Sequence, residues 1–296
     1  MANTNTSTSS TKVSPKAQAF SFSEAKKDNF RRITQNLIQT HPNVYGLLGD
    51  INNIDEIILA TISLESSGNM LFTKNFTEQP GGQKGESNTT FNGTSSCHPN
   101  PLSTSESSSI RTYWKSDVVR TAIDSNNVNN IKAANEGRVA HGLGGIMGYY
   151  FVKGFSTHDE FFGKLNHKEI LTAYGLEVDI NAGERVSIKL FPDDSDLSIT
   201  KNIAVMLCLY NEKLRVGKST YRDNKSAIDF MIGNYLGGNV FKLPSSSETA
   251  QRVAKVNSLV GNPSTINYST SSTAYQNRVA GTSSTTSDSQ SPPGCA

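Results

Sequence analysis

Cysteine is scarce in this chain, and the few cysteines present form no recognisable pattern. There are three among 296 residues, at Cys97, Cys208 and Cys295. They are far apart, odd in number and include no Cys-x-x-Cys pair, so neither a disulfide framework nor a zinc site is predicted. Such cysteine usage is typical of a chain kept reduced inside a cell, or of a phage particle assembled there.

Long apolar runs are also missing. No segment approaches the roughly 18 consecutive apolar residues that a transmembrane helix needs. The polar start, MANTNTSTSSTKVSPK, lacks the apolar core of a secretory signal. We therefore expect synthesis in the cytoplasm, no membrane insertion and, if the target is a cell wall, delivery by another component.

The chain has no excess of charge of either sign. Lysine and arginine number 28 against 26 acidic residues, for a formal net charge of +2. No cluster of basic residues is interleaved with aromatic ones, so no nucleic-acid partner is expected. The glycine-rich segment 141–148 is not followed by the Lys-Ser/Thr of a Walker phosphate-binding loop. The Gly-x-Ser-x-Gly motif that carries a nucleophilic serine is also absent. No metal or organic cofactor is predicted.

Composition divides the chain into a folded part and polar flanks. Residues 1–19 and 245–296 are rich in Ser and Thr and are predicted to be disordered tails. One domain is expected over 20–244. A polar stretch, 73–108, interrupts it, either as a binding loop or as a disordered segment. The pattern over 247–259 is compatible with a weak helix.

Apolar residues recur at helical spacing over most of the folded part, so the expected fold class is mainly α, with a small β-hairpin and disordered polar termini. The hairpin is placed over 176–190, around Asn181-Ala182-Gly183. The first predicted helix starts at a capping box formed by Ser21 and Glu24 and ends at His41, and the second runs from Asn53 toward Gly68. A long helix is predicted to start at a cap formed by Asp196 or Ser198. The remaining helices are predicted over 110–124, 128–141 and 224–235.

One carboxylate, Glu65, falls on the apolar stripe of its predicted helix. It follows Ile58 by seven residues and Ile62 by three, a spacing that places all three on one face. Burial raises the pKa of a carboxyl group and lets it hold a proton near neutral pH, as a glycosidic general acid requires. The alternative is a residue of the last helical turn whose carboxylate reaches solvent.

The segment ATISLESSGN, residues 60–69, resembles the signature of soluble lytic transglycosylases. In that family an apolar helix runs into the catalytic Glu, which is followed at once by Ser. The matching residues here are Glu65 and Ser66. The resemblance implies that Glu65 acts first as acid and then as base, and that Ser66 helps to orient the sugar or the glutamate.

The segment HGLGGIMG, residues 141–148, resembles the family's downstream Gly-Leu-Met-Gln motif. The matching positions are Gly142, Leu143 and Ile146, whereas Gly145 stands where Gln is usual. The resemblance implies a backbone cradle for a sugar, where glycine allows close approach. The departure at Gly145 removes the expected Gln contact, and a plain glycine-rich turn between helices is the alternative.

The segment FMIGNYLGGNV, residues 230–240, is similar to the family's late Ala-Tyr-Asn-Ala-Gly segment. Tyr235 and Gly238 match, while Leu236 replaces the Asn. In the family this Tyr hydrogen-bonds the catalytic Glu, and the resemblance implies the same for Tyr235. The alternative is a buried tyrosine at a helix end.

The three segments occur in the family order and together resemble the lysozyme-like superfamily, which includes goose-type lysozymes. This implies an α+β lysozyme-like fold and cleavage of the β-1,4 bond between N-acetylmuramic acid and N-acetylglucosamine in peptidoglycan. The implied substrate-binding residues, besides the catalytic Glu65, are Ser66, Gly142, Leu143, Ile146 and Tyr235.

A second carboxylate is not marked out by its context. The candidates are Glu78, Glu86, Glu106, Asp117, Asp124 and Glu136. Lytic transglycosylases manage with one glutamate, because the substrate's own 6-hydroxyl attacks, so this chemistry is favoured over hydrolysis. The composition suits a phage tail or virion component with tail or baseplate proteins as partners. A catalytically silent, wall-binding virion protein of the same fold is the alternative.

Overall fold

The computed structural model of the protein describes residue 20 and residues 22–71, 73–75, 107–164 and 166–261. The predicted tail over 1–19, most of the polar stretch over 73–108 and residues 262–296 lie outside this part of the chain.

Helices dominate the described residues, so the predicted mainly α class is confirmed. Among these helices, none is both long and apolar enough to cross a membrane. The α-helices are, in chain order, α1 (Glu24–Thr40), α2 (Pro42–Gly49), α3 (Ile54–Glu65), α4 (Ser108–Trp114), α5 (Asp117–Asp124), α6 (Val128–Glu136), α7 (Ser156–Gly163), α8 (His167–Tyr174), α9 (Val186–Lys189), α10 (Asp196–Thr220), α11 (Asn224–Leu236) and α12 (Glu248–Leu259).

Helix α1 begins slightly later than predicted, because a different serine caps it. The side chain of Ser23 accepts a hydrogen bond from the backbone N–H of Lys26 at 3.4 Å, whereas the predicted cap, Ser21, lies outside the described residues. The helix ends at Thr40, as expected before His41-Pro42. Pro42 then opens α2, a helix the sequence analysis missed, because proline suits the first helical turn.

Helix α10, with 25 residues, forms the centre of the fold and packs against α1, α2, α8 and α11. Its cap is Ser195, which accepts from the N–H of Ser198 at 3.4 Å, so the predicted caps at Asp196 and Ser198 are wrong. Asp193 accepts from the hydroxyls of both serines. Asp193 is therefore part of a helix cap, and no group of metal-binding side chains occurs within the described ranges.

The predicted hairpin over 176–190 is wrong. Val178 pairs with Val152 through one isolated bridge, and the chain continues into a 3-10 turn, Ile180–Ala182, and then α9. The Asp179 carboxylate accepts from two backbone N–H groups of that turn, which curls the chain instead of extending it. Five of the six alternating apolar residues are buried in the helical core rather than on one face of a sheet, whereas Ile188 is 61% exposed.

The sheet forms elsewhere, around the glycine-rich segment. Strand β2 (Val139–His141) and strand β3 (Ile146–Met147) are antiparallel and joined by the four-residue turn 142–145. Strand β1 (Thr73–Asn75) pairs antiparallel with β2. Because β1 follows α3 by only a few residues, the sheet brings the turn next to the end of α3.

The predicted boundary at 244 is wrong, because α12 belongs to the folded domain. Ala250, Val253 and Val256 are buried at a spacing of three residues, which forms one helical stripe. The stripe packs against α11 and α3, and the side chain of Ser247 caps the helix by accepting from the N–H of Ala250 at 3.2 Å. The fold therefore extends to at least residue 261.

Candidate active site

Glu65 is the last residue of α3, and its side chain is 9% exposed. The preceding residues of the helix, from Ile57 to Ile62, are buried in the core. After Glu65 the chain turns sharply through Ser67, which has a positive φ of 53°. The carboxyl group therefore lies at the edge of the core, on the apolar side of its helix, as the sequence predicted.

A guanidinium group from α12 contacts this carboxyl group. Nη2 of Arg252 donates to Oε1 of Glu65, and Nη1 donates to the carbonyl oxygen of Leu236 at 3.1 Å. Arg252 thereby ties together the ends of α3 and α11. An adjacent cation stabilises the ionised form of a carboxyl group, whereas the sequence-based expectation was a desolvated carboxyl that keeps its proton.

The turn between β2 and β3 lies against the other carboxylate oxygen. Gly145 has a φ of +59°, and a Cβ placed on it would lie 2.9 Å from Oε2 of Glu65. A side chain at position 145 would therefore compete with the carboxylate for space. This explains why glycine stands where the resembled motif has Gln.

Side chains from α10 and α11 hold this turn in place. The N–H of Gly144 donates to Oδ1 of Asn202 at 2.9 Å, and the Tyr235 hydroxyl donates to the Gly144 carbonyl at 2.8 Å. A Cβ on Gly144 would lie 2.5 Å from that hydroxyl. Tyr235 therefore supports the turn beside Glu65: its hydroxyl donates to Gly144, whereas the resemblance implied a hydrogen bond to Glu65 itself.

A second tyrosine, Tyr210 of α10, backs the site. Its ring stacks on that of Tyr235 with centroids 4.6 Å apart, and its hydroxyl lies 2.5 Å from Oγ1 of Thr61, one helical turn before Glu65. Burial raises the pKa of Tyr210 well above its ordinary value, and the negative charge of Glu65 adds to this. Tyr210 is therefore a neutral phenol at physiological pH.

The other predicted site residues have different surroundings. Ser66 is 4% exposed, and its hydroxyl donates to the carbonyl of Ile62 at 3.2 Å, so this bond ties it to its own helix and its role in orienting Glu65 or a sugar stays a prediction. Ile146 is buried in the core within β3, away from any open surface. Gly142 closes the turn, accepting from the N–H of Gly145 at 3.2 Å. Leu143 is fully buried but lines a cavity.

This cavity has a volume of about 200 Å³ and opens beside the glycine-rich turn. Its lining comes from α1, the segment after α3, the turn 142–145 and the start of α10. The apolar lining consists of Phe30, Met70, Leu143 and Ile199, and the polar lining includes Lys26, Asn29 and Asp194. Small ligands commonly bind in such concave sites, where apolar walls carry a few polar groups.

The candidate second carboxylates have other partners or positions. Glu136 is fully buried and bonded to Arg185 and Ser187. Asp117 pairs with Arg120 on α5, and Asp124 is exposed at the end of the same helix. Glu78, Glu86 and Glu106 lie outside the described residues.

No family model, no curated protein and no solved structure matches this chain. The interpretation of the site therefore depends on its own geometry.

Three contributors to the site were missed in the sequence: Arg252, Asn202 and Tyr210. Arg252 carried a usable signal, because the buried stripe at 250, 253 and 256 marks α12 as a packed helix and places its residues near the core. Asn202 and Tyr210 are polar residues on the long, largely buried α10. Their function depends on which turn packs against them, which the sequence of α10 does not reveal.

Proposed function

We propose that the protein cleaves peptidoglycan glycan strands at the β-1,4 bond between N-acetylmuramic acid and N-acetylglucosamine, with Glu65 as the proton-transferring group. The observation that carries this proposal is the convergence of three distant segments on one carboxyl group. Gly145 lies against Oε2 of Glu65, and Tyr235 holds the adjacent Gly144. These are the segments whose sequences resemble the lytic transglycosylase motifs.

In the proposed reaction, protonated Glu65 donates its proton to the glycosidic oxygen as the bond to the muramoyl C1 breaks. The resulting carboxylate then accepts the proton of the muramoyl 6-hydroxyl, whose oxygen bonds to C1. The products are a 1,6-anhydromuramoyl end and a free 4-hydroxyl on the departing sugar. One carboxylate suffices for this sequence, which agrees with the commitment of Glu136 to Arg185 and Ser187.

The backbone around Glu65 supports the proposal in a second way. The turn 142–145 carries glycine at three of its four positions, so a sugar ring can approach the main chain closely. The neighbouring cavity, with Leu143 in its lining, offers room for a substituent of an adjoining sugar. We place the protein in a phage tail or virion, where baseplate proteins would be its partners, on the basis of its composition.

The test is digestion of purified peptidoglycan by the full chain and by Glu65→Gln, with the products identified by mass spectrometry. We expect anhydromuropeptides, one water lighter than hydrolysis products, from the wild type, and a loss of roughly 100-fold or more in Glu65→Gln. Glu56→Gln, the same change on the same helix, should retain activity. Full activity in Glu65→Gln would contradict the assigned role, and reducing-end products would indicate a lysozyme instead.

The ion pair between Arg252 and Glu65 favours a second candidate function. A carboxylate engaged by a guanidinium is a poor general acid, so the protein could instead be a catalytically silent, wall-binding virion component. In that case the wild type and Glu65→Gln would both sediment with insoluble peptidoglycan, and neither would release soluble fragments from it.

A further inference from the structure

Arg252 is the cation that contacts the Glu65 carboxylate, and its position is fixed by α12. Buried Val253 and Val256 anchor that helix, and the bond from Nη1 to the Leu236 carbonyl orients the guanidinium group. The Arg252 side chain is 21% exposed and that of Glu65 is 9% exposed. The pair is therefore largely shielded from water, so its electrostatic interaction is stronger than that of a surface pair.

We propose that Arg252 is a positioning residue for Glu65, which holds the carboxyl group ionised and thereby sets the pH range in which Glu65 can donate a proton. The catalytic part of this inference rests on the proposed function, whereas the control of ionisation does not. It also assigns a role to α12, which places the C-terminal helix within the site.

Several other groups border the pair, and their charges bear on the argument. The titratable and charged side chains of the surrounding elements are Glu248 and Lys255 on α12, Tyr210 on α10, Tyr235 on α11 and Lys26 on α1, whose Nζ donates to the Gly68 carbonyl at 3.1 Å. Helix α11 also carries buried Asp229, which accepts from Asn257 of α12 at 2.9 Å, more than one helical turn beyond Arg252. Glu248 and Lys255 are exposed, where solvent screens their charges. Burial keeps Tyr210 neutral. Arg252 is thus the group expected to dominate the ionisation of Glu65.

The direction of the effect follows from two opposing forces. The guanidinium stabilises the carboxylate, whereas burial disfavours it. Removing the charge of Arg252 removes this stabilisation of the carboxylate while the burial remains, so the carboxyl group should keep its proton to higher pH. Because the general acid must be protonated, the fall in activity on the alkaline side should move to higher pH in the same variant.

The experiment follows the ionisation of Glu65 directly, in the full chain labelled with 13C at the glutamate carboxyls. Carboxyl NMR titrations are recorded for the wild type, Arg252→Met and Arg252→Lys, with the Glu65 resonance assigned through Glu65→Gln. We expect the Glu65 midpoint to rise by about one pH unit in Arg252→Met, and to stay near the wild-type value in Arg252→Lys. The midpoint of Glu56, which pairs with Arg31, should not move.

An unchanged Glu65 midpoint in Arg252→Met would overturn the proposal, even if the variant were less stable, because a purely structural arginine would give that result. If Arg252→Met fails to fold, Arg252→Gln replaces it, since its amide is neutral and can still donate a hydrogen bond. The pH–rate profile on peptidoglycan then separates the two proposals. A shifted midpoint without cleavage by any variant would reject the glycosidic function and keep the role of Arg252.

Discussion

Two glutamates end helices in this fold, and both are paired with an arginine from a later segment. Glu136 ends α6 and meets Arg185, whereas Glu65 ends α3 and meets Arg252. A carboxylate at a helix C-terminus faces the negative end of the helix dipole, so each position needs a compensating cation. The shared location makes the differences between the two sites informative.

Both oxygens of Glu136 accept hydrogen bonds from protein groups. Oε1 accepts from Nε of Arg185 at 2.6 Å and from the Ser187 hydroxyl at 2.7 Å, and Oε2 accepts from the Ser187 N–H at 2.9 Å. In Glu65, Arg252 contacts Oε1, while Oε2 lies against the side-chain-free Gly145. The enclosure of Glu136 by donors indicates a structural role, whereas the position of Glu65 against a glycine turn motivates the proposal that it meets a ligand.

The largest expected effect that distinguishes these glutamates is on stability. Glu136→Ala should lower the free energy of unfolding by about 3 kcal/mol, because Arg185 and the Ser187 N–H lose their buried acceptor. Glu65→Ala should lower it by about 1 kcal/mol, because the Glu65 side chain is the more exposed of the two, at 9% against 1% for Glu136. Urea unfolding of both variants, followed by circular dichroism, gives the two values.

Equal losses in the two variants would remove the contrast between a structural and a functional glutamate. The double variants with Arg185→Met and Arg252→Met complete the comparison. The coupling energy measured for Glu136 and Arg185 should exceed that for Glu65 and Arg252.

The sequence predicted most of the helices, because each of them buries a stripe of apolar residues in the core. The prediction failed where one sequence pattern was compatible with two different structures. The alternation over 176–190 fits a strand, yet the Asp179 side chain closes a turn there. The strands that form are two or three residues long, too short to show alternation, and β1 lies inside the polar stretch 73–108, which was predicted to be a binding loop or a disordered segment.

The site was likewise predicted only in part from the sequence. The position of Glu65 on an apolar helical face followed from residue spacing, whereas the proximity of the glycine-rich turn and Tyr235 was implied by the resemblance to the lytic transglycosylase motifs. Arg252 was not predicted, because the pattern over 247–259 indicated only a weak helix and did not show which elements that helix packs against. A counter-charge supplied by a segment distant in sequence depends on tertiary packing, and no local pattern around Glu65 records it.

The next largest effect should come from Gly145→Ala. The added Cβ would lie 2.9 Å from Oε2 of Glu65, so the carboxylate must move, and the φ of +59° is unfavourable for alanine by about 1 kcal/mol. We expect that loss of stability together with a fall in peptidoglycan cleavage of roughly 10-fold or more, since small displacements of a catalytic group are costly.

Gly154→Ala is the matched control for backbone strain. Gly154 has a φ of +78°, and a Cβ on it would meet nothing within 4 Å. It should therefore lose similar stability while cleavage remains at the wild-type rate. Equal cleavage by both alanine variants would show that the contact between Gly145 and Glu65 is not important for activity.

The smallest effect is expected for Tyr235→Phe, which removes the hydroxyl that donates to the Gly144 carbonyl at 2.8 Å and keeps the ring stacked on Tyr210. Loss of this buried bond should cost about 1 kcal/mol of stability and slow cleavage a few-fold, because the turn beside Glu65 is held less firmly.

Tyr45→Phe is the control. It removes an equivalent buried bond, from its hydroxyl to the Ala204 carbonyl at 2.9 Å, in a part of the core not in contact with the turn. Thermal melts and cleavage rates of both variants are compared. A similar drop in melting temperature with slower cleavage in Tyr235→Phe alone would assign the Tyr235 hydroxyl to the site, whereas parallel losses of activity would mean that it serves only the fold.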